Sequence, residues 1–245
     1  MTRRVTLATA ARVLAQLRRA PRTLALLLVV PCVLMTILRY AFDGQPATFQ
    51  RVGPPLIGLL PFILMFVVAS IAMLRERSTG TLERLMSMPV GKLDLLAGYA
   101  LAFGALAVVQ TALLAGLSLG PLDLDTARSP WILIAIALGN ALLGMSLGLF
   151  VSAFATSEFQ AVQFMPAIVL PQLLLCGLFV ARDQMAGWLE GISYALPLTY
   201  AYDALGRVSG DGALGSAFAR DLVILGGAIL AALALGAATL RRRTA

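Results

Sequence analysis

LLAGYALAFGALAVVQTALLAGLSL, residues 95–119, runs 25 positions without one charged side chain. As an α-helix rising about 1.5 Å per residue it spans about 37 Å, enough to cross a hydrocarbon core about 30 Å thick. Residues 54–74, 131–153 and 160–180 are equally free of charge. Residues 23–40 and 221–240 carry one charge each, Arg39 and Asp221, close to an end. None of these runs alternates apolar and polar residues as a barrel strand does. The expected fold class is an all-α membrane protein with six transmembrane helices, a single domain over 1–245.

Composition agrees. The 245 residues are 60% hydrophobic and 13% charged, where a soluble domain carries about 25% charged residues. The net charge of +7 reads as membrane orientation rather than nucleic-acid binding. Six crossings put both termini on one side. With the N-terminus inside, 13 of 19 bases fall inside, and 8 of 12 acids outside, so both termini are expected in the cytoplasm. About 23 basic, mixed residues precede the first apolar run and Pro31 interrupts it, which predicts an uncleaved first span.

There is no histidine, which removes His-based catalysis, metal sites and proton relays. No catalytic residue, metal site or cofactor of this chain's own is expected. Cys32 and Cys176 sit inside apolar runs and read as packing residues.

Residues 1–22 predict a helix lying on the membrane. Ala10, Val13, Leu14 and Leu17 share one face, and Arg12, Gln16 and Arg19 the other. Between spans five and six, residues 181–220 cluster Trp188, Tyr194, Tyr200 and Tyr202, residues that favour the headgroup level. The apolar piece 185–196 is too short to span, so an extracellular re-entrant or interfacial segment is expected. Asp123, Asp125, Arg182 and Asp183 read as solvated outer-loop residues. Gly116/Gly120 and Gly144/Gly148 recur at the spacing that allows close helix approach.

No ionisable residue lies deep in a span, where ion-coupled carriers usually keep one. No G-x-x-x-x-G-K-[ST] loop is present to cradle a nucleotide. Active transport would therefore draw energy from another polypeptide. Its handle would be the inside loop 75–94, RERSTGTLERLMSMPVGKLD. Thr81 can cap a short helix there, with Glu83 in its first turn. Leu82, Leu85 and Met86 share an apolar face, and Pro89 ends the helix. On the residues alone, docking into a partner's groove and lying flat on lipid both fit.

This loop resembles the signature of ABC-2 type permeases, the family of daunorubicin-type drug exporters and related lipid, polysaccharide and nodulation-factor exporters. Its matching core is Arg75-Glu76-Arg77, Gly80-Thr81-Leu82-Glu83-Arg84-Leu85 and Met88-Pro89-Val90. A second resemblance is Leu196-Pro197-Leu198-Thr199-Tyr200 followed by Asp203-Ala204-Leu205. The family often has Arg directly after that Ala-Leu pair, whereas here Gly206 stands there and Arg207 follows. The resemblance implies that 75–94 forms a coupling helix between spans two and three. Glu76, Arg77, Gly80, Thr81, Leu82, Glu83, Arg84, Leu85 and Pro89 are its ATPase-coupling residues. It further implies a second permease copy or a paralogous permease on a dimer of ABC ATPase subunits, with ATP and Mg on those partners. The setting would be lipid, in a bacterial cytoplasmic membrane, with no nucleic acid. The cargo would be a hydrophobic or amphiphilic drug, antibiotic or lipid-linked molecule. Gln110, Asn140, Gln163, Phe164 and Gln172 are the candidate substrate-path residues, although each polar one also reads as an interhelical hydrogen-bonding group. An ATP-independent secondary carrier or channel is the alternative.

Overall fold

The structure, a computed structural model, describes residues 3–81, 84–85, 91–126, 128–210 and 214–239. Its helices are α1 (Arg3–Arg18), α2 (Pro21–Ala41), α3 (Pro46–Ser78), α4 (Lys92–Leu119), α5 (Pro130–Val151), α6 (Glu158–Leu175), α7 (Gly187–Ser193), α8 (Pro197–Ser209) and α9 (Ser216–Thr239). A 3-10 turn covers Arg182–Gln184. The fold is all-α, and α2, α3, α4, α5, α6 and α9 are long and apolar enough to cross a membrane.

Local chemistry sets several starts. Proline opens α2, α3, α5 and α8, where its fixed φ suits a helix and its missing N–H leaves no bond unmade. At α6, the Ser157 hydroxyl accepts from the Gln160 N–H at 3.2 Å, and the Gln160 side chain accepts from the Thr156 N–H at 2.8 Å. That is a reciprocal N-terminal cap.

Four expected boundaries are corrected. The second span begins at Pro46, not 54, because Phe49 and Gly53 are buried and Leu124 packs directly over Gly53. The resulting 33-residue helix is about 50 Å long. It also absorbs residues 75–78, and α4 absorbs 92–94, so both ends of the loop expected over 75–94 are helical. The fifth span stops at Leu175 rather than 180. Pro166 and Pro171 remove ladder bonds, and Gly177 turns at φ +104 with the Tyr202 ring packed against it.

Helices α3 and α5 form the spine and pack along each other more extensively than any other pair. Both bury more than half of their apolar span, whereas α2, α6 and α9 bury less than a quarter. The outer helices therefore present residues such as Val33, Ile37, Leu170, Leu174, Val223 and Leu230 outward, a surface suited to lipid. Gly144 and Gly148 explain the spine. Without side chains there, the Phe62 and Phe66 backbone of α3 rests directly on α5. The other pair behaves differently, since Gly116 faces open space.

Candidate functional site

The last turn of α3 carries three consecutive charges. Successive helical residues point about 100° apart, so Arg75, Glu76 and Arg77 diverge toward three different elements. Arg75 forks onto Glu158 at the start of α6, donating from Nε at 2.6 Å and from Nη2 at 3.0 Å. Glu76 accepts from Arg12 Nη1 of α1 at 2.8 Å. Arg77 reaches the Thr239 hydroxyl at the end of α9 at 3.4 Å. One tripeptide thus ties the base of the central helix to α1, α6 and α9.

The Glu76 branch is the most enclosed of the three. Its carboxylate is buried, and Arg12 also donates to the Tyr99 hydroxyl of α4 at 2.7 Å with its guanidinium 5.8 Å from the ring centroid. This corrects the expected placement of Arg12 on the outward face of α1. The apolar stripe is as expected, with Ala10 and Val13 buried. It packs on α4 rather than facing outward, and Gly98 lets Thr9 approach the α4 backbone closely. Arg12, on the flank of that stripe, is drawn inward by Glu76.

Beyond Ser78 the chain turns. The Thr79 hydroxyl donates to the Arg75 carbonyl at 2.8 Å and lies 3.0 Å from that of Thr81. Gly80 takes φ +68, a conformation that favours glycine. Helical backbone resumes at Thr81, Arg84 and Leu85, with the Arg84 N–H bonded to the Gly80 carbonyl at 3.1 Å. Leu85 packs against the cluster that contains Val13, Met73 and Tyr99. Leu82, Glu83 and Pro89, together with Met86 and Met88, lie outside the described residues.

The substrate-path candidates do not converge. Pro31 has no N–H to offer the Leu27 carbonyl four residues back, and Gln110 of α4 donates its amide there at 3.2 Å. Asn140 of α5 donates to the Gly58 carbonyl of α3 at 3.1 Å. Gln172 donates within its own helix, to the Ile168 carbonyl at 3.2 Å. Gln163 is exposed on α6 and Phe164 half-buried beside it. Two cavities lie elsewhere. One sits at the charged end between α1, α3 and α4, the other at the opposite end among α3, residues 178–179 and α8. None of the five candidates lines either cavity.

The sequence pattern of the family described as "ABC-2 type transporter" matches residues 4–207, from α1 through α8. The chain belongs to the ABC-2 type transporter family. Among its curated relatives is the probable multidrug ABC transporter permease YbhR of Escherichia coli, 25% identical over 154 residues, which are 62% of this chain and 41% of YbhR. The inner membrane transport permease YhhJ of the same organism is 27% identical over 173 residues, 68% of this chain and 44% of YhhJ. ABC transporter G family member 20 of Dictyostelium discoideum is 24% identical over 153 residues, 62% of this chain and 21% of that protein. The matched part of this ABC-2 chain thus spans less than half the length of each of these relatives.

The opposite end of the ABC-2 bundle holds ion pairs that sequence reading missed. Arg182, taken as a solvated loop residue, is instead mostly buried and pairs with Asp203 of α8 at 2.5 Å. Burial pushes the Asp203 carboxyl up from its ordinary value, against the pull of Arg182. Arg207 reaches the fully buried Asp221 of α9 at 3.2 Å, and Arg220 reaches it at 3.1 Å. Arg207 thus pairs with α9 although it stands one residue later than the family pattern. The signal available in the sequence was Asp221 itself, an acid inside an apolar run that needs a cation nearby. Glu76, the one acid between two arginines, gave the same kind of signal, but nothing local pointed to Arg12 or Tyr99.

Proposed function

We propose that this chain is the membrane-spanning permease of an ATP-driven exporter in a bacterial cytoplasmic membrane, with both termini in the cytoplasm. ATP and Mg bind and react on a separate ABC ATPase dimer, and a second permease copy or a paralogous permease completes the transporter. The cargo is a hydrophobic or amphiphilic molecule, a drug, antibiotic or lipid-linked compound, because the spans offer few polar contacts. Family membership and the names of the relatives support this reading. The observation that carries it is the three-way anchorage of Arg75-Glu76-Arg77.

A push from the cytosol on the segment 79–91 meets a rigid base. Through Glu76 it is transmitted to α1, which we read as the interfacial helix, and to α4. Through Arg75 and Arg77 it is transmitted to α6 and α9. Glu83 and Arg84 engage the ATPase, with Glu76 and Arg77 bracing the loop. The outer segment 181–210 lies in or re-enters the outer leaflet, with its exposed Trp188 and Tyr194 at the headgroup level.

The test is co-expression with the Walker-motif ATPase of a neighbouring reading frame, followed by transport assays in vesicles. Glu83→Arg should leave protein level and ATP hydrolysis in place and abolish export. Normal export by that variant would overturn the docking assignment. Export that persists with no nucleotide hydrolysed would return the chain to the secondary-carrier class.

A further inference from the structure

The cavity at the end of the bundle opposite Glu76 has a volume of about 450 Å³, that of a small-molecule site. Thr48, Arg51 and Val52 of α3, Leu178 and Phe179 of the turn after α6, and Tyr202 of α8 line it. Among the described residues Arg51 is the one charged side chain in its walls, and no carboxylate lines it. Arg39, Arg182, Arg207 and Arg220, at the same end, each reach a carboxylate. Arg51 is exposed and reaches none among the described residues.

The positive charge in this cavity is therefore left uncompensated. Arg51 lies close enough to Tyr202 to act on its hydroxyl, and the other charges acting there include Arg182 and Asp203, which pair with each other. The first turn of α3 adds the positive end of a 33-residue helix dipole to the same wall. A concave wall of one sign focuses its field on whatever enters. A guanidinium presents a planar fork of N–H donors that matches phosphate and carboxylate. Val52, Leu178 and Phe179 stand beside that fork, and the Phe179 side chain is exposed, so a hydrocarbon stem can lie against it.

We propose that this cavity binds an anionic amphiphile, its phosphate or carboxylate head taken by the Arg51 guanidinium and its stem lying along Val52, Leu178 and Phe179. Two sources carry that chemistry, an acidic phospholipid and a soluble acidic amphiphile. The placing of the cavity at the outer leaflet rests on the orientation proposed above. Binding itself needs neither ATPase nor transport, so its failure would leave the export reading untouched.

The test uses the full chain in phosphatidylcholine nanodiscs, with radiolabelled dodecyl phosphate as probe and protein-free nanodiscs as the partition background. Saturable binding is expected, and dodecyltrimethylammonium should not compete for it. Arg51→Gln should weaken it about tenfold, whereas Arg51→Lys, which keeps the charge, should retain most of it. Phe179→Ala keeps the charge and removes a wall, and should weaken binding about fivefold. Arg51 and Phe179 are both exposed, so neither change removes core packing. Replacing part of the phosphatidylcholine by phosphatidylglycerol, in both the loaded and the protein-free nanodiscs, identifies the source. Loss of the saturable component marks the acidic lipid as occupant, and its persistence marks the soluble amphiphile. Non-saturable partitioning alone, equal competition by dodecyltrimethylammonium, or binding unchanged in Arg51→Gln or in Phe179→Ala would overturn the proposal.

Discussion

A methyl group added at Gly144 or Gly148 should push the two spine helices apart, and the same methyl at Gly116 should not. A Cβ built on Gly144 would lie 2.9 Å from the Phe62 carbonyl carbon, and one on Gly148 3.1 Å from that of Phe66, with the carbonyl oxygens closer still. Carbon atoms pack best at about 3.5–4.0 Å, so α5 must withdraw by roughly 0.5–1 Å. The obstructing atoms are backbone and cannot rotate away. A gap of that size forfeits about a quarter to a half of each contact it opens, and overpacking of this kind costs about 1–3 kcal/mol. The gain from replacing helical Gly by Ala, about 0.5–1 kcal/mol, offsets only part of it. At Gly116, where nothing lies within 4 Å, only the gain remains. For a chain of this size about 1 kcal/mol moves a melting midpoint by about 2–4 °C. Gly144→Ala and Gly148→Ala should therefore melt lower by up to roughly 10 °C, Gly144→Ala the more so, and Gly116→Ala at or slightly above the parent. Thermal unfolding of each purified variant, followed by fluorescence-detected size exclusion, reads this directly. Midpoints displaced alike at all three positions would refute the reasoning, since propensity alone would then explain them.

Two further outcomes follow from the hydrogen-bond geometry. Gln110→Leu should destabilise the parent, because the Leu27 carbonyl loses its donor, but much less in a Pro31→Ala background, where the new N–H takes that carbonyl. The double-mutant cycle should show coupling of about 0.5–1.5 kcal/mol, and an equal cost in both backgrounds would contradict it. Arg12→Gln should cost about 1–3 kcal/mol, because the buried Glu76 loses its cation. Arg75→Gln should cost under about 1 kcal/mol, both partners being more than half exposed. Denaturation in mild detergent that ranks these two in the opposite order would overturn the assignment of Glu76 as the enclosed branch.

The six spans were legible from sequence because each depends only on its own composition. The loop after the second span was legible as a feature, but its ends were not. Residues 75–78 look like loop by charge, yet they remain helical because each charge finds a partner on another element. Those partners stand 64, 83 and 162 residues away in the chain, and no local pattern encodes such distances. The hydrogen bond from Gln110 to the Leu27 carbonyl was not legible for a related reason. Its role depends on Pro31, which lies on a different helix.

By itself the sequence determined how many times the chain crosses the membrane, which family it belongs to and where its charges concentrate. Partition into lipid and a contiguous motif are properties of short stretches, so they survive without knowledge of neighbours. Only the tertiary structure decided which glycine pair sits against backbone, and that Arg12 turns inward to Glu76. It alone showed that a cavity opens beside that carboxylate, between α1, α3 and α4. Each of these depends on the relative placement of helices distant in sequence, where a shift of about 1 Å changes a contact into a clash or a gap.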